Sequence, residues 1–341
     1  MYFRGLLPRR LVAVALLPLA SIDAKAQSCD STAIRRPVRN VVGAVRVGLD
    51  ATYGRPDYSV FSGSASVVPF VSEHWQVGVS PSWEVAGGVR SYYVTGLADA
   101  VVNYAWLGDK ASGPYVGAFV SQRGASFSPG YGVYGVQAGW MRFLSPSVAL
   151  RGELRLRKYS NAQSPPTADL VVAFDPYLFG RETRRLTTLP SFGVFDATLL
   201  ADYSMRPAHT LRINTTVAPF LNRWLQAGAT ANVQFAFFRS SGTHAYELFG
   251  RGYLPVDARI VPFADAFVSN ASIGMSNRTM GSHGARAGVR SYLTAGVALD
   301  VAMQWRQYDA ENLGTDVFTP APERTLRATL TTQFKAVRAR N

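Results

Sequence analysis

Residues 148–159 read VALRGELRLRKY, and this stretch decides the fold. One face carries Val148, Leu150, Gly152, Leu154 and Leu156, and the intervening positions carry Arg151, Glu153, Arg155 and Arg157. A repeat of two residues is that of a β-strand, whose successive side chains point to opposite faces. The stretch therefore predicts a strand with one apolar face and one charged face.

The same alternation recurs near the end of the chain. Residues 297–308 read VALDVAMQWRQY, in which Asp300, Gln304 and Arg306 alternate with apolar residues, and residues 325–334 place Arg327 on the polar face. A soluble sandwich and a membrane barrel both supply such a contrast between faces. Sandwich strands average about 5 to 6 residues, whereas membrane strands need about 9 to 11. The long runs here, at 148–159, 209–221, 258–274 and 297–308, favour the membrane barrel.

Composition excludes two other classes of protein. Of the 341 residues, 48% are hydrophobic and 17% are charged, which is too apolar and too weakly charged for a disordered chain. Beyond the N-terminus there is no run of about 18 apolar residues, so a membrane protein built from helices is also excluded. Cys29 is the single cysteine, which excludes an internal disulfide framework.

The N-terminus has the layout of a bacterial secretory signal peptide. Residues 1–26 begin with basic residues, continue through an apolar run of about 12 residues, and end in Ala24-Lys25-Ala26. Cleavage before Gln27 would lower the net charge from +13 to +10, because four basic residues and one acidic residue are removed. Export combined with a barrel predicts the outer membrane of a Gram-negative-type cell, with residues 27–43 as a periplasmic N-terminal segment.

An internal repeat covers the exported chain. Residues 69–78 match 219–228, Ala118-Phe119-Val120-Ser121 recurs at 266–269, and Val148-Ala149-Leu150 recurs at 297–299, all at offsets close to 150. Asp50-Ala51-Thr52 also matches Asp196-Ala197-Thr198, at an offset of 146. Repeats of this length are domains rather than solenoid units. We therefore expect a first barrel unit at 44–180 and a second at 189–335.

Each unit resembles the eight-stranded outer-membrane-protein β-barrel family. The first similar feature is a strand, turn and strand over Ser66–Gly78, including Pro69-Phe70 and Val77-Gly78. The second is the aromatic-Leu-Ser turn at Phe143-Leu144-Ser145 before Val148-Ala149-Leu150. The resemblance implies an all-β, antiparallel transmembrane barrel over residues 44–178 and, more weakly, 190–334. It implies a fold rather than an activity.

The pattern predicts sixteen strands and their topology. Eight lie in each unit, at 44–54, 58–71, 75–86, 92–106, 113–126, 130–144, 148–160, 168–178, 190–204, 209–221, 224–238, 243–255, 258–275, 283–294, 297–309 and 325–334. Pro176 interrupts the eighth, since proline cannot donate to a ladder. The short turns at 72–74, 145–147, 222–223 and 295–296 are expected on the periplasmic side, together with both termini. The strands could close as one 16-stranded barrel, which we favour, or as two separate 8-stranded barrels.

The polar face of the predicted strands supplies the candidate functional residues. We expect the following side chains to line the lumen: Arg46, Asp50, Arg151, Glu153, Arg155, Arg157, Asp196, Arg212, Asp300, Gln304, Arg306 and Arg327. One hypothesis is a cation-rich wall that favours anionic solutes. The other is that arginines and carboxylates pair across strands to fill a polar interior.

No motif points to catalysis or to a cofactor. None of the four histidines, His74, His209, His244 and His283, is followed two residues later by serine, as the lipid A deacylase pattern requires. We therefore predict a passive porin-like or structural envelope protein without enzymatic activity, cofactor, metal or nucleic-acid partner. A non-transporting surface or adhesion barrel, and a lipid-modifying barrel enzyme, remain alternatives.

Expected partners are outer-membrane lipid, lipopolysaccharide and, during biogenesis, the barrel assembly machinery. Tyr92, Tyr93, Tyr104, Trp106, Tyr115, Trp224, Phe237 and Phe238 fit either interfacial girdles or ordinary strand packing.

Overall fold

A computed structural model describes residues 44–55, 59–87, 92–108, 112–125, 128–145, 147–160, 165–179, 193–205, 209–236, 241–254, 260–272, 279–294, 296–309, 311–313, 316–318 and 322–335. The signal peptide, Cys29 and the segment from 180 to 192 lie outside these ranges, as do Phe237 and Phe238. No helix in the described ranges has the length and apolarity to cross a membrane.

The described chain is built from β-strands. They are β1 (Ala44–Arg55), β2 (Ser59–Pro69), β3 (Trp75–Gly87), β4 (Tyr92–Ala105), β5 (Ser112–Ala125), β6 (Ser128–Ser145), β7 (Val148–Tyr159), β8 (Thr167–Phe179), β9 (Val194–Ser204), β10 (Thr210–Pro219), β11 (Leu225–Ala236), β12 (Ser241–Tyr253), β13 (Ile260–Ser272), β14 (Thr279–Thr294), β15 (Val297–Tyr308), β16 (Glu311–Leu313), β17 (Asp316–Phe318) and β18 (Glu323–Lys335). All pair antiparallel, and all except β16 and β17 close into one ring. The predicted all-β barrel of about sixteen strands is confirmed.

Strand bounds agree with the alternation pattern to within a few residues. The largest differences are at β9, which begins at Val194 rather than 190, and at β14, which begins at Thr279 rather than 283. The segment from 310 to 324, between the last two predicted strands, contains the small hairpin of β16 and β17. The four predicted short turns all lie at the end where β1 begins and β18 ends, here called the terminal end.

Four strands change partners on their way through the ring. Away from the terminal end, β1 pairs with β18 from Asp50 to Arg55, and β8 pairs with β9 from Asp169 to Ala173. At the terminal end, β1 pairs instead with β8 through Ala44 to Arg46. In the same way β9 pairs with β18, where Ala197 lies opposite Thr332. The rows between these pairings, where the strands exchange partners, are called the crossover.

Partner exchange divides the barrel at one end. Above the crossover a single 16-stranded ring encloses one lumen. At the terminal end β1 to β8 close a first lobe, and β9 to β15 with β18 close a second. The two alternatives left open by the sequence, one large barrel or two small ones, therefore both occur in this molecule, at different heights.

The outer faces of the two lobes pack against each other to form a septum. Phe334 of β18 contacts Phe195 at 5.4 Å and Phe174 at 5.2 Å between ring centroids. Val148 and Val297, the first residues of β7 and β15, are fully buried although they stand on the outward phase of their strands. The contacts make the septum a small apolar core outside both lumens.

Elsewhere the exterior is apolar. Large exposed side chains of the outward phase include Val120 and Leu248, which are 61% and 62% exposed, and others such as Val77, Leu156 and Val268. Among the described side chains of this phase, the charged ones in strands lie near strand ends; they are Arg142, Lys158 and Arg324. A wide apolar exterior with charges at its margins matches a membrane rather than water.

The two halves place corresponding residues in corresponding registers. Val45 pairs with Pro69 and Phe195 with Pro219, so the halves align at an offset of 150 in this region. The turns after these strands share one arrangement: Ser72 Oγ accepts from the backbone N–H groups of His74 and Trp75, and Asn222 Oδ1 accepts from those of Trp224 and Leu225. Asp196 therefore corresponds to Arg46, and the match of Asp50 with Asp196 at offset 146 is wrong by four residues.

Candidate functional site

The predicted lumen residues whose side chains are described all stand on the inward phase of their strands. These are Arg46, Arg151, Glu153, Arg155, Arg157, Asp196, Arg212, Asp300, Gln304, Arg306 and Arg327. The backbone of Asp50 pairs with Thr329, while its side chain lies outside the description. The structure divides the set between the two lobes, where the charges form separate networks.

The first lobe holds a network of alternating charges. Arg151 lies 2.6 Å from Asp175 and 2.9 Å from Glu153, and Arg46 approaches Asp175 at 3.6 Å. Arg155 donates from Nε to the same Glu153, which is 1% exposed and also accepts from the hydroxyl of Tyr115. Burial makes an uncompensated charge costly, so each carboxylate here is held by at least two donors.

Below this network, amides and aromatic rings fill the first lobe. Gln137 donates to Asn103 at 2.6 Å, Asn103 donates to Gln76 at 3.3 Å, and Gln76 donates to the hydroxyl of Tyr177 at 3.1 Å. The Tyr177 ring packs against Phe70 and Phe143, in a cluster that also contains Ala44, Ala105, Tyr115, Met141 and Ala149. The first lumen is thus packed with side chains at the terminal end.

The second lobe holds a longer chain of charges in which acids and bases alternate. Its order is Asp196, Arg290, Asp300, Arg251, Asp265, Arg286, Glu247 and Arg306, with successive contacts of 2.6 to 3.2 Å. Arg290, the second member of this chain, is 0% exposed and binds both Asp196 and Asp300. Four arginines matched by four carboxylates leave this buried chain formally neutral.

Aromatic rings line the floor of the second lobe. Phe220, Tyr253, Phe263 and Tyr292 form a buried cluster with Val261, Ala298 and Ala302. The Arg251 guanidinium lies 4.0 Å above the Phe263 ring, and Tyr253 donates its hydroxyl to Gln226 at 2.8 Å. Cation–π contacts and hydrogen bonds therefore join this cluster to the charged chain above it.

A cavity of about 540 Å³ lies above this floor. Its charged lining includes Arg251, Arg286, Arg290, Arg306 and Arg327, against Asp196, Glu247, Asp300 and Glu323. The cavity also reaches the crossover, where Gly48, Leu49, Phe174, Pro176, Leu199 and Leu330 border it. At the terminal end it stops at Asp196, Arg290 and Phe263, so it is a pocket rather than a passage through the described residues.

Sequence reasoning missed seven of the twelve charged residues that are buried among the described residues. They are Asp169, Asp175, Glu247, Arg251, Asp265, Arg286 and Arg290. The two-residue alternation of a strand would have found several of them. For example, Arg286 and Arg290 lie on one face of the stretch GARAGVRSY at 284–292. The pairing of Arg251 with Asp300 required the register of four strands, which no local pattern contains.

The histidines and aromatic residues take varied positions. His74 Nδ1 bonds the carbonyl of Ala105 at 3.0 Å, and exposed His283 lies 3.1 Å from Asp309. The Tyr104 ring makes edge-to-face contacts with exposed Trp75 and with exposed Trp106 on the outer surface at the terminal end, as a girdle requires. Tyr115 is instead buried in the first lumen, and Trp224 packs against the floor of the second lobe, so neither belongs to a girdle.

Comparison with known proteins adds only distant likenesses. No protein-family model matches the chain, and no curated protein matches it. Among solved structures, the CymD monoaromatic hydrocarbon channel is 8% identical with a TM-score of 0.38, covering 87% of this chain and 89% of that one. OccAB3 from Acinetobacter baumannii is 8% identical with a TM-score of 0.38, covering 86% and 99%. BamA from Haemophilus ducreyi lacking POTRA domains 1–3 is 9% identical with a TM-score of 0.42, covering 94% and 78%.

Proposed function

We propose that this protein is a bacterial outer-membrane β-barrel that serves the envelope structurally and is closed to solutes in its resting state. The apolar exterior, the paired charges of the interior and the signal-like N-terminus support this location. Outer-membrane lipid and lipopolysaccharide are its expected surroundings, reached with the help of the barrel assembly machinery. The matching registers of the two halves support an origin by tandem duplication.

The observation that carries the proposal is the filling of both lobes at the terminal end. Tyr177 and Arg290, which occupy the two lumens, are each 0% exposed. An eight-stranded ring has room for side chains only, whereas a 16-stranded ring leaves an aqueous channel. A molecule that narrows from sixteen strands to two rings of eight is therefore obstructed where it narrows.

The cavity of the second lobe favours a second candidate function, the passage of small anionic solutes. Five of its lining residues are arginines, and one of these, Arg327, is not a member of the neutral charge chain. This role requires the floor around Phe263 to open. Charge compensation in the chain below weakens the cation-rich wall that the sequence suggested.

We propose neither catalysis nor adhesion as the main role. His74 is bound to the backbone carbonyl of Ala105, and His283 pairs with exposed Asp309. A surface role for the loops and a lipid-modifying activity stay as alternatives. Mass analysis of lipid A after deletion of the gene tests the latter directly.

Liposome swelling tests the proposed function. Purified protein in liposomes should give no faster swelling in arabinose or in larger sugars than protein-free liposomes, and cell fractionation should place it with the outer membrane. A general porin reconstituted in parallel is the positive control. Size-dependent swelling by the wild-type protein would reject the closed state, and recovery in the inner membrane would reject the location.

A further inference from the structure

The crossover leaves four short stretches of strand edge without a ladder partner. These are residues 47–49 of β1, 174–176 of β8, 198–199 of β9 and 330–331 of β18. Three register pairs hold β1 to β8 below the crossover, and four hold β9 to β18. The partition between the two lobes therefore depends on few backbone pairs.

The registers on both sides of the crossover agree with one another. The β1–β18 register pairs Asp50 with Thr329, and its continuation brings Arg46 opposite Gln333. The β8–β9 register pairs Ala173 with Leu200, and its continuation brings Tyr177 opposite Asp196. Both continuations end where the strands themselves end, at 44 with 335 and at 179 with 194. The strands can thus exchange partners row by row, without the register slip that would turn side chains to the wrong face.

Such an exchange loses no backbone pairing overall. Carried to the strand ends, it breaks the three β1–β8 pairs and the four β9–β18 pairs. It forms six β1–β18 pairs, 44–49 with 330–335, and six β8–β9 pairs, 174–179 with 194–199. The side chains of the septum suit either arrangement, because its outward phase carries Val45, Val47, Leu49, Phe174, Leu178, Phe195, Leu199, Leu330 and Phe334. In the septum Phe334 contacts Phe174 and Phe195. After the exchange all of these outward residues would face lipid, as the rest of the exterior does.

The same strands carry residues that obstruct the lumens. Arg46, Asp175 and Tyr177 of β1 and β8 belong to the first network and cluster, and Asp196 and Gln333 of β9 and β18 bind each other at 2.9 Å in the second. Moving these strands outward withdraws their side chains from both lobes. The cavity beside Leu49, Phe174 and Leu330 gives space for the first rows to move.

Pro176 opposes this movement. The backbone N–H of Tyr177 donates to Ser147 on the β7 side at 2.7 Å, so position 176 faces the crossover edge. Proline has no N–H, and it lies opposite Val47 in one register and opposite Ala197 in the other. Val47 or Ala197 would therefore lack one backbone hydrogen bond when paired with Pro176. For this reason the crossover lies at the row of Pro176, where that edge of β8 is unpaired.

We propose that the septum is a movable partition, in which β1, β8, β9 and β18 exchange partners toward the terminal end and join the two lumens into one 16-stranded aqueous passage. The closed molecule described above is the split state. The joined state would conduct hydrophilic solutes, because a full ring of sixteen strands leaves an open lumen. This conformational step goes beyond the proposed structural role.

Two pairs of introduced cysteines, both of which include position 46, distinguish the split state from the joined state. Both pairs are made in a Cys29→Ser variant, so that no native cysteine competes. In the split state Arg46 lies beside Tyr177, and its side chain points away from that of Gln333, which faces the other lumen. Arg46→Cys with Tyr177→Cys reports the split state, and Arg46→Cys with Gln333→Cys can form a disulfide only in the joined state. Thr52→Cys with Arg327→Cys lies further along the same β1–β18 register and should close in both states.

Oxidation in native membranes, followed by gel mobility and by release of an entrapped dye from proteoliposomes, gives the result. We expect the Arg46–Gln333 cysteine pair to cross-link and to make the vesicles leak until a reductant is added. Pro176→Val should raise the fraction cross-linked in a fixed time about fivefold, the factor that one restored hydrogen bond of about 1 kcal/mol implies. Absence of this cross-link, where the Thr52–Arg327 pair closes fully, would overturn the proposal. Swelling by unmodified wild-type protein would instead reject the proposed closed function, so the two failures are distinct.

Discussion

At the scale of single residues, Arg290 is the position where we expect a substitution to destabilise the fold strongly. It is fully buried, and it binds Asp196 at 2.7 Å and Asp300 at 2.6 Å. Arg290→Met leaves two carboxylates buried without their shared cation, and should lower the free energy of unfolding by about 3–5 kcal/mol. The first lobe has Met141 in the matching place, opposite Arg151 as Arg290 is opposite Asp300, so the side chain itself fits this wall.

Urea unfolding in detergent micelles, followed by tryptophan fluorescence, measures the loss. Arg212→Gln is the matched control, because Arg212 is inward-facing but exposed, and it should change stability by less than about 1 kcal/mol. Removing one acid as well, in Arg290→Met with Asp300→Asn, should recover part of the lost stability. An Arg290→Met protein as stable as the wild type would contradict the role of the charge chain.

The sequence correctly predicted which side chains face the lumen, but it did not predict which of them form ion pairs. Alternation in 148–159 placed Arg151, Glu153 and Arg155 on the inner face, because parity is a local property of a strand. The acid that binds Arg151, Asp175, lies on the next strand, and its identity depends on register. The long chain of the second lobe joins residues as far apart as Asp196 and Arg290, which no window along the sequence connects.

At the scale of strands, close approach between neighbours requires glycine at Gly284 of β14. A methyl group there would lie 2.0 Å from the carbonyl oxygen of Trp305 and 2.7 Å from the Phe267 ring. Gly284→Ala should therefore cost about 1–3 kcal/mol, because the backbone of β15 must shift. Gly250→Ala is the control, since a methyl group at Gly250 meets nothing within 4 Å.

Heat modifiability on gels compares the two variants. Gly284→Ala should lose its folded, fast-migrating band at a lower temperature than the wild type, whereas Gly250→Ala should not. Equal melting of both variants would show that the wall between Phe267 and Gly284 is looser than described. A methyl group at Gly135 would lie 2.6 Å from the Phe119 ring, so Gly135→Ala should have the same effect in the first lobe.

Strand existence followed from the sequence because alternation persists through each element. The prediction that Pro176 interrupts the eighth strand had a physical basis, since the edge of β8 has no ladder partner at residues 174–176. The interruption falls where β8 changes partner from β9 to β1, so the proline marks the crossover rather than a defect in the strand. The sequence shows that position 176 has no backbone N–H to donate, but it does not show which neighbouring strand lacks the hydrogen bond.

At the scale of the whole molecule, the division of the barrel was not accessible to sequence reasoning. Sixteen strands and two similar halves are compatible with one ring or with two, and local patterns are identical in both. The choice is made by few pairs at the terminal end, such as Val45 with Leu178 and Phe195 with Phe334, and by the aromatic packing of the septum. Contacts of this kind join the first strand to the eighth and the ninth to the last.

Electrical recording of the wild-type protein in a planar lipid bilayer tests the central claim most directly, that a ring of sixteen strands is closed because it divides into two filled lobes. Inserted protein should show no steady conductance at low voltage, and any openings should be brief. A long-lived ohmic channel of general-porin size in every insertion would contradict the account, because it would require an open lumen where Tyr177 and Arg290 are buried.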